Sequence, residues 1–134
     1  MKSTLRVDLG FAADASGNGV AYARAGSAGR VLRVAFPVKR FSGLQDREVG
    51  YAALQAVARA LQQRGIVRAN FVVEDPRLAG DLNEHRDVPP ALTLAYVKLR
   101  CTLNQFEGYE IGEAPLETDL SQRARSEVAL HVAA

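Results

Sequence analysis

The chain has 134 residues, 48% hydrophobic and 24% charged, with a formal net charge of +2, which predicts one ordinary globular domain over residues 1–134 that needs no staples. The mild charge excludes a strongly basic nucleic-acid footprint but permits a polyanionic partner, and the single Cys101 excludes an internal disulfide framework and fits a reducing compartment. No apolar run reaches membrane length and the N-terminal stretch lacks the apolar core of a signal peptide, so a soluble cytoplasmic protein with no membrane contact is expected.

Leu5 to Phe11 alternates as a strand that carries Asp8, with Gly10 marking a bend. Ala15 to Gly19 is turn chemistry, since glycine and asparagine tolerate positive φ. A strand follows it, so it reads as a hairpin turn rather than a phosphate cradle. Val20 to Arg24 and Val31 to Val38 make two further strands across the Gly-rich turn from Ala25 to Gly29, giving an antiparallel meander.

Ser42 and Gln45 have capping-box spacing, which allows a helix from Gly43 onward. Val49, Ala52, Ala53, Ala56, Val57, Ala60 and Leu61 recur at the three-and-four spacing of a helix with one buried face, and Gly65 stops it. The apolar run Phe71-Val72-Val73 belongs to a strand from Phe71 to Glu74 covered on both faces, ended by Asp75-Pro76. Neighbouring strand residues point to opposite faces, so Glu74 and Asp75 do not form a dyad, and Asp75 serves equally as a cap for the helical turn after it.

Pro76 to Asn83 reads as a short helical piece, followed by a break from Arg86 to Pro90 whose prolines suit a helix start. Leu92, Ala95, Tyr96, Leu99, Leu103 and Phe106 place a helix over Ala91–Phe106, with Cys101 as a small buried hydrophobe. Tyr109 to Ala114 is a strand and Leu120 to Val132 a last helix. His85 and His131 read as surface residues. Arg24, Arg33, Arg40 and Arg47 read as solvated decoration, with a phosphate-contacting edge as the alternative. The order βββαβαβα implies an α/β domain, a mixed sheet covered by helices.

Four local patterns carry a resemblance. An early strand bears Asp8 and is followed by Gly17-Asn18-Gly19-Val20. The helix contains Tyr51-x-Ala53-Leu54 and ends at Gly65-Ile66. Asp75 is followed by Leu78, Leu82 and Asn83, and the tail passes through Phe106 and Ala114-Pro115-x-Glu117 into an Ala-rich helix. In order and spacing these resemble the ribonuclease H family, particularly its short prokaryotic and plant-like branch, over nearly the whole chain. The resemblance implies a five-stranded mixed sheet with helices on both faces. It also implies cleavage of the RNA strand of an RNA–DNA hybrid by two Mg²⁺ or Mn²⁺ ions held between carboxylates.

Asp8 matches the first family acid, with Asp8-Leu9-Gly10 in place of Asp-Gly-Ser, and Asp75 matches the third, with Pro76 after it. Gly50 stands where the helix acid belongs, and Ser126 (or Arg123 by an ungapped count) stands where the last acid belongs. Two of four expected ligands are therefore missing. Asp46 lies one turn from Gly50 on the same helix face, and Glu48 substitutes if the helix frays there. Glu127 or Asp119 are the substitutes near the last helix. The expected catalytic set is thus Asp8, Asp75, Glu48 and Asp46, with Asp8, Asp75 and Glu48 as the metal set.

Three functions follow. The first is a Mg²⁺-dependent nuclease acting on RNA–DNA hybrid or structured DNA. The second is a catalytically inactive ribonuclease H-like module that engages nucleic acid, a protein partner or a second copy of itself. The third is a Holliday-junction-resolvase-like nuclease using Asp8 and Glu74, for which the tail lacks a later pair of acids.

Overall fold

A computed structural model of the chain describes residues 4–26, 30–38, 45–74, 76–83, 88–113 and 119–133. Strands β1 (Leu5–Ala13), β2 (Asn18–Ala25) and β3 (Arg30–Pro37) form the antiparallel meander, joined at the first turn by Gly17 with φ near +89°. Asp14 fixes that turn, because its carboxylate accepts the backbone N–H groups of Ser16 and Asn18, both at 2.9 Å. Helix α1 (Gln45–Gln63) carries the chain across the sheet to β4 (Arg68–Val73), which pairs parallel with β1. Helix α2 (Pro76–Asn83), a 3₁₀ turn (Pro90–Leu92) and α3 (Thr93–Leu103) lead to β5 (Gly108–Glu113), parallel to β4. Helix α4 (Asp119–Ala133) closes the described chain. The sheet order is β3-β2-β1-β4-β5, and the order βββαβαβα is the one the sequence implies.

Strand alternation divides the core in two. Val7, Leu9, Phe71 and Val73 turn toward α1 and α3, where they pack with Leu54, Val57, Leu99 and Leu103. Their β1 neighbours on the opposite face meet α4, where Val20, Tyr22, Leu120 and Ala124 form a separate small cluster flanked by Ala12 and Val128. Among the described residues no helix is long and apolar enough to cross a membrane.

Several boundaries differ from the sequence expectation. Strand β1 continues through Gly10 to Ala13, so Gly10 is not a bend. Helix α3 ends at Leu103 rather than Phe106, since the N–H of Glu107 bonds to the carbonyl of Val67 and draws the chain into register beside β4. Phe106 keeps the apolar period beyond the helix because its ring packs on Phe71, centroids 5.7 Å apart. Cys101 is exposed, contrary to expectation: α3 buries Leu99, Thr102 and Leu103, and Cys101 lies off that stripe. Ser42, Gly43, Arg40 and His85 lie outside the described residues, as does the side chain of His131.

Candidate functional site

The carboxyl ends of β1 and β4 lie side by side in parallel register, Asp8 level with Val72 and Leu9 with Val73. One more step brings Gly10 level with Glu74. Crevices outside the carboxyl ends of such strands are where open α/β sheets bind ligands. Asp8, Gly10 and Glu74 all belong to the face that α4 covers, with Asp8 and Glu74 about two residues, roughly 7 Å, apart along the strand direction.

Gly10 is the contact point between strand and helix. A Cβ added there would stand 2.8 Å from Leu120 Cβ and closer still to the backbone nitrogen of Ser121. Only glycine lets the first turn of α4 approach the strand this closely. Ser121, buried beside it, donates its hydroxyl to the Glu74 carboxylate. Asp8 accepts from Arg6 Nε at 3.1 Å and lies opposite Arg24 across the β1–β2 ladder.

Arg24 in turn reaches α4. Its guanidinium donates twice to Asp119, at 2.6 and 3.3 Å, and this bond holds the Asp119 carboxyl below its ordinary value and raises Arg24. Eight residues along the helix, Glu127 accepts from Arg33 at 2.7 and 2.5 Å and from the hydroxyl of Tyr22. The hydrogen bond to the Glu127 carboxylate, followed by burial, pushes the Tyr22 phenol up. Arg123 lays its guanidinium over the Tyr22 ring, 4.6 Å from the centroid. Glu127, Arg33, Asp14 and Phe36 line a groove of about 760 Å³ beside this network.

On the opposite face, the first turns of α1 and the body of α2 are joined by a buried pair. Arg47 and the Tyr51 hydroxyl both donate to Asp81, each at 2.5 Å. Asp81 is 3% exposed and its partner guanidinium largely buried. Burial, then the bond to Asp81, pushes the Tyr51 phenol far above its usual range.

The expected site residues divide as follows. Asp8 stands at the sheet end on the α4 face. Glu48 is half-buried in a groove of about 420 Å³ between α1 and α3, with Tyr51, Gln55, Leu92 and Lys98. Asp46 belongs to α1, but its side chain, like the whole of Asp75, lies outside the described residues. Gly50 is buried within α1. Asp119 and Glu127 engage arginines of β2 and β3, and Ser126 is exposed.

Mg²⁺ selects hard oxygen ligands that converge on one point. At the sheet end, Asp8 is engaged by Arg6, Glu74 by Ser121, and α4 backbone fills the space over Gly10 between them. Among the described residues no three of His, Cys, Asp and Glu gather as a metal site.

Sequence reading missed Gly10, Ser121 and Asp81. A glycine inside an alternating strand is the available signal for close approach, and Gly10 carried it. A serine on a helix and an Asp five residues past a helix start carry none.

The fold is found in solved structures. RNase H1 of the halophilic archaeon Halobacterium salinarum NRC-1 superposes with a TM-score of 0.70, covering 93% of this chain and 99% of that one at 16% identity. This is a ribonuclease H fold. The N-terminal ribonuclease H domain of a Mycobacterium tuberculosis protein, solved as a fusion with maltose-binding protein, superposes with a TM-score of 0.66, covering 96% and 98% at 13% identity. No family model and no curated protein matches the sequence. The ribonuclease H fold thus persists here at an identity that carries shape alone.

Proposed function

We propose that this chain is a ribonuclease H-like module that binds nucleic acid of the RNA–DNA hybrid class without hydrolysing it. The observation that carries the reading is the first turn of α4 seated on Gly10, with Ser121 bonded to Glu74, at the carboxyl ends of β1 and β4 in a fold shared with proteins named for ribonuclease H. Arginines on β1, β2 and β3 (Arg6, Arg24 and Arg33) supply partly exposed guanidinium groups suited to phosphate. Direct titration of a labelled RNA–DNA hybrid, run beside a cleavage assay in Mg²⁺ and in Mn²⁺, tests this. Saturable, salt-dependent binding with intact RNA supports it, and RNA cleavage that Asp8→Asn abolishes would overturn it in favour of a nuclease using Asp8, Asp75 and a helix acid from Asp46 or Glu48.

A second reading is favoured by one observation. Asp8 and Glu74 share a sheet face, as a junction resolvase of the kind described above requires. Cleavage of a four-way junction that Glu74→Gln abolishes and Asp75→Asn spares would select it.

A further inference from the structure

Helix α4 meets the sheet in an unusual way for a core element. Its apolar contribution is narrow, Leu120 and Ala124 with Val128 beside them, and the rest of the contact is ionic and polar. Both of its paired acids, Asp119 and Glu127, take an arginine of the sheet through two hydrogen bonds, the geometry by which arginine binds a phosphate. The third group beneath the helix is Tyr22, whose ring already carries the planar cation of Arg123 on its face. Arg33 and Arg24 remain 49% and 35% exposed at their side chains, so an incoming anion reaches them before α4 moves.

Two acids of fixed spacing on two arginines, and a flat group on an aromatic ring, reproduce the contacts that a strand of nucleic acid makes with a basic, aromatic sheet face: phosphates on guanidinium groups, and a base on a ring. We propose that Arg24, Arg33 and Tyr22 form a binding track for the phosphate backbone of a nucleic acid, which α4 occupies with its own Asp119 and Glu127 in the uncomplexed chain. The inference rests on the nucleic-acid reading above and adds the surface and its regulation. Phosphates displace the two carboxylates, α4 loosens, and the track is exposed along β2 and β3. The same movement lifts Leu120 and Ser121 from Gly10 and Glu74, which couples strand binding to the opening of the sheet end. The occupant and the track compete for the same donors, so weakening the occupant strengthens binding while weakening the track abolishes it.

The test titrates a short labelled RNA–DNA hybrid, and each of its single strands, with the intact wild-type chain and four double variants of it. Asp119→Asn with Glu127→Gln removes the competing charges, and Arg24→Gln with Arg33→Gln removes the track. Glu110→Gln with Glu113→Gln, on exposed β5 positions, and Arg59→Gln with Arg64→Gln, on and just after the end of α1, change the net charge equally far away. Circular dichroism checks that each retains its fold. The first double variant is expected to bind about three- to tenfold tighter than wild type. The second is expected to bind about tenfold or more weaker, with a salt slope shallower by about two. The remote pairs are expected to shift affinity by less than half as much in logarithmic terms. Remote pairs that shift binding as far as their local counterparts, or local pairs that leave wild-type binding unchanged, overturn the track while the nucleic-acid reading stands. No binding by any form overturns both.

Discussion

The two faces of the sheet are held by different physics. Toward α1 and α3 the contact is apolar and continuous: Phe71, Leu54, Val57, Leu99 and Leu103 are fully buried, and the polar insertion, Asp81 accepting from Arg47 and Tyr51, is largely out of water. Toward α4 the apolar cluster is small, and two arginine–carboxylate pairs at partly exposed positions carry the rest. Apolar burial contributes about 1.5–3 kcal/mol per large side chain, whereas an exposed ion pair contributes roughly 0.2–1 kcal/mol and is screened by salt. One face therefore holds the fold and the other can yield without losing it. That difference lets the sheet stay rigid while α4 is the element that the proposed ligand displaces.

Substitutions measure the asymmetry, beginning with the strongest. Phe71→Ala is expected to cost about 3–5 kcal/mol in urea unfolding, because its ring is fully buried against Phe106 and the cavity collapses only in part. Asp81→Ala is expected to cost about 3 kcal/mol by leaving Arg47 and Tyr51 without their acceptor. On the other face, Gly10→Ala forces α4 off the strand and is expected to cost about 1–3 kcal/mol, with near-ultraviolet circular dichroism reporting a change at Tyr22. Glu127→Gln is expected to change stability by less than about 1 kcal/mol, and high salt removes the difference from wild type. A loss from Glu127→Gln as large as that from Phe71→Ala would erase the distinction between the faces.

Acid and alkali act on the faces separately. The folded Asp119 carboxyl lies below its ordinary value because Arg24 bonds to it, so its contribution is present above the ordinary carboxylate range and disappears as pH falls through the lowered one. Tyr51 is shifted the other way, by burial first, so its contribution is complete below the usual phenol range and is lost as pH rises beyond it. Unfolding midpoints of wild type and Tyr51→Phe, compared across the alkaline limb, are expected to converge on a flatter profile for the variant.

Much of the architecture was legible in the chain because local pattern and tertiary role agree. Val49, Ala53, Val57 and Leu61 of the α1 period and Phe71 and Val73 of the β4 run are buried, with Ala52, Ala56, Ala60 and Val72 half-buried beside them. Legibility failed where tertiary contacts override local signals. Phe106 extends the period of α3 from a loop, and Cys101 falls beside the buried stripe rather than on it. Gly10 looks like a bend until the helix that needs its missing side chain is placed on top of it. At the candidate site the acids were readable as acids but their partners were not. Arg24 and Asp119 are paired by the fold alone, across 95 positions of sequence.

Native-state hydrogen exchange on the uncomplexed chain tests the difference between the faces most directly. Amides of α4 are expected to exchange through an opening of lower free energy than those of β1, β4 and α1, and salt is expected to accelerate this opening selectively. Exchange of α4 only together with the central strands, at one shared free energy that salt does not separate, would contradict this.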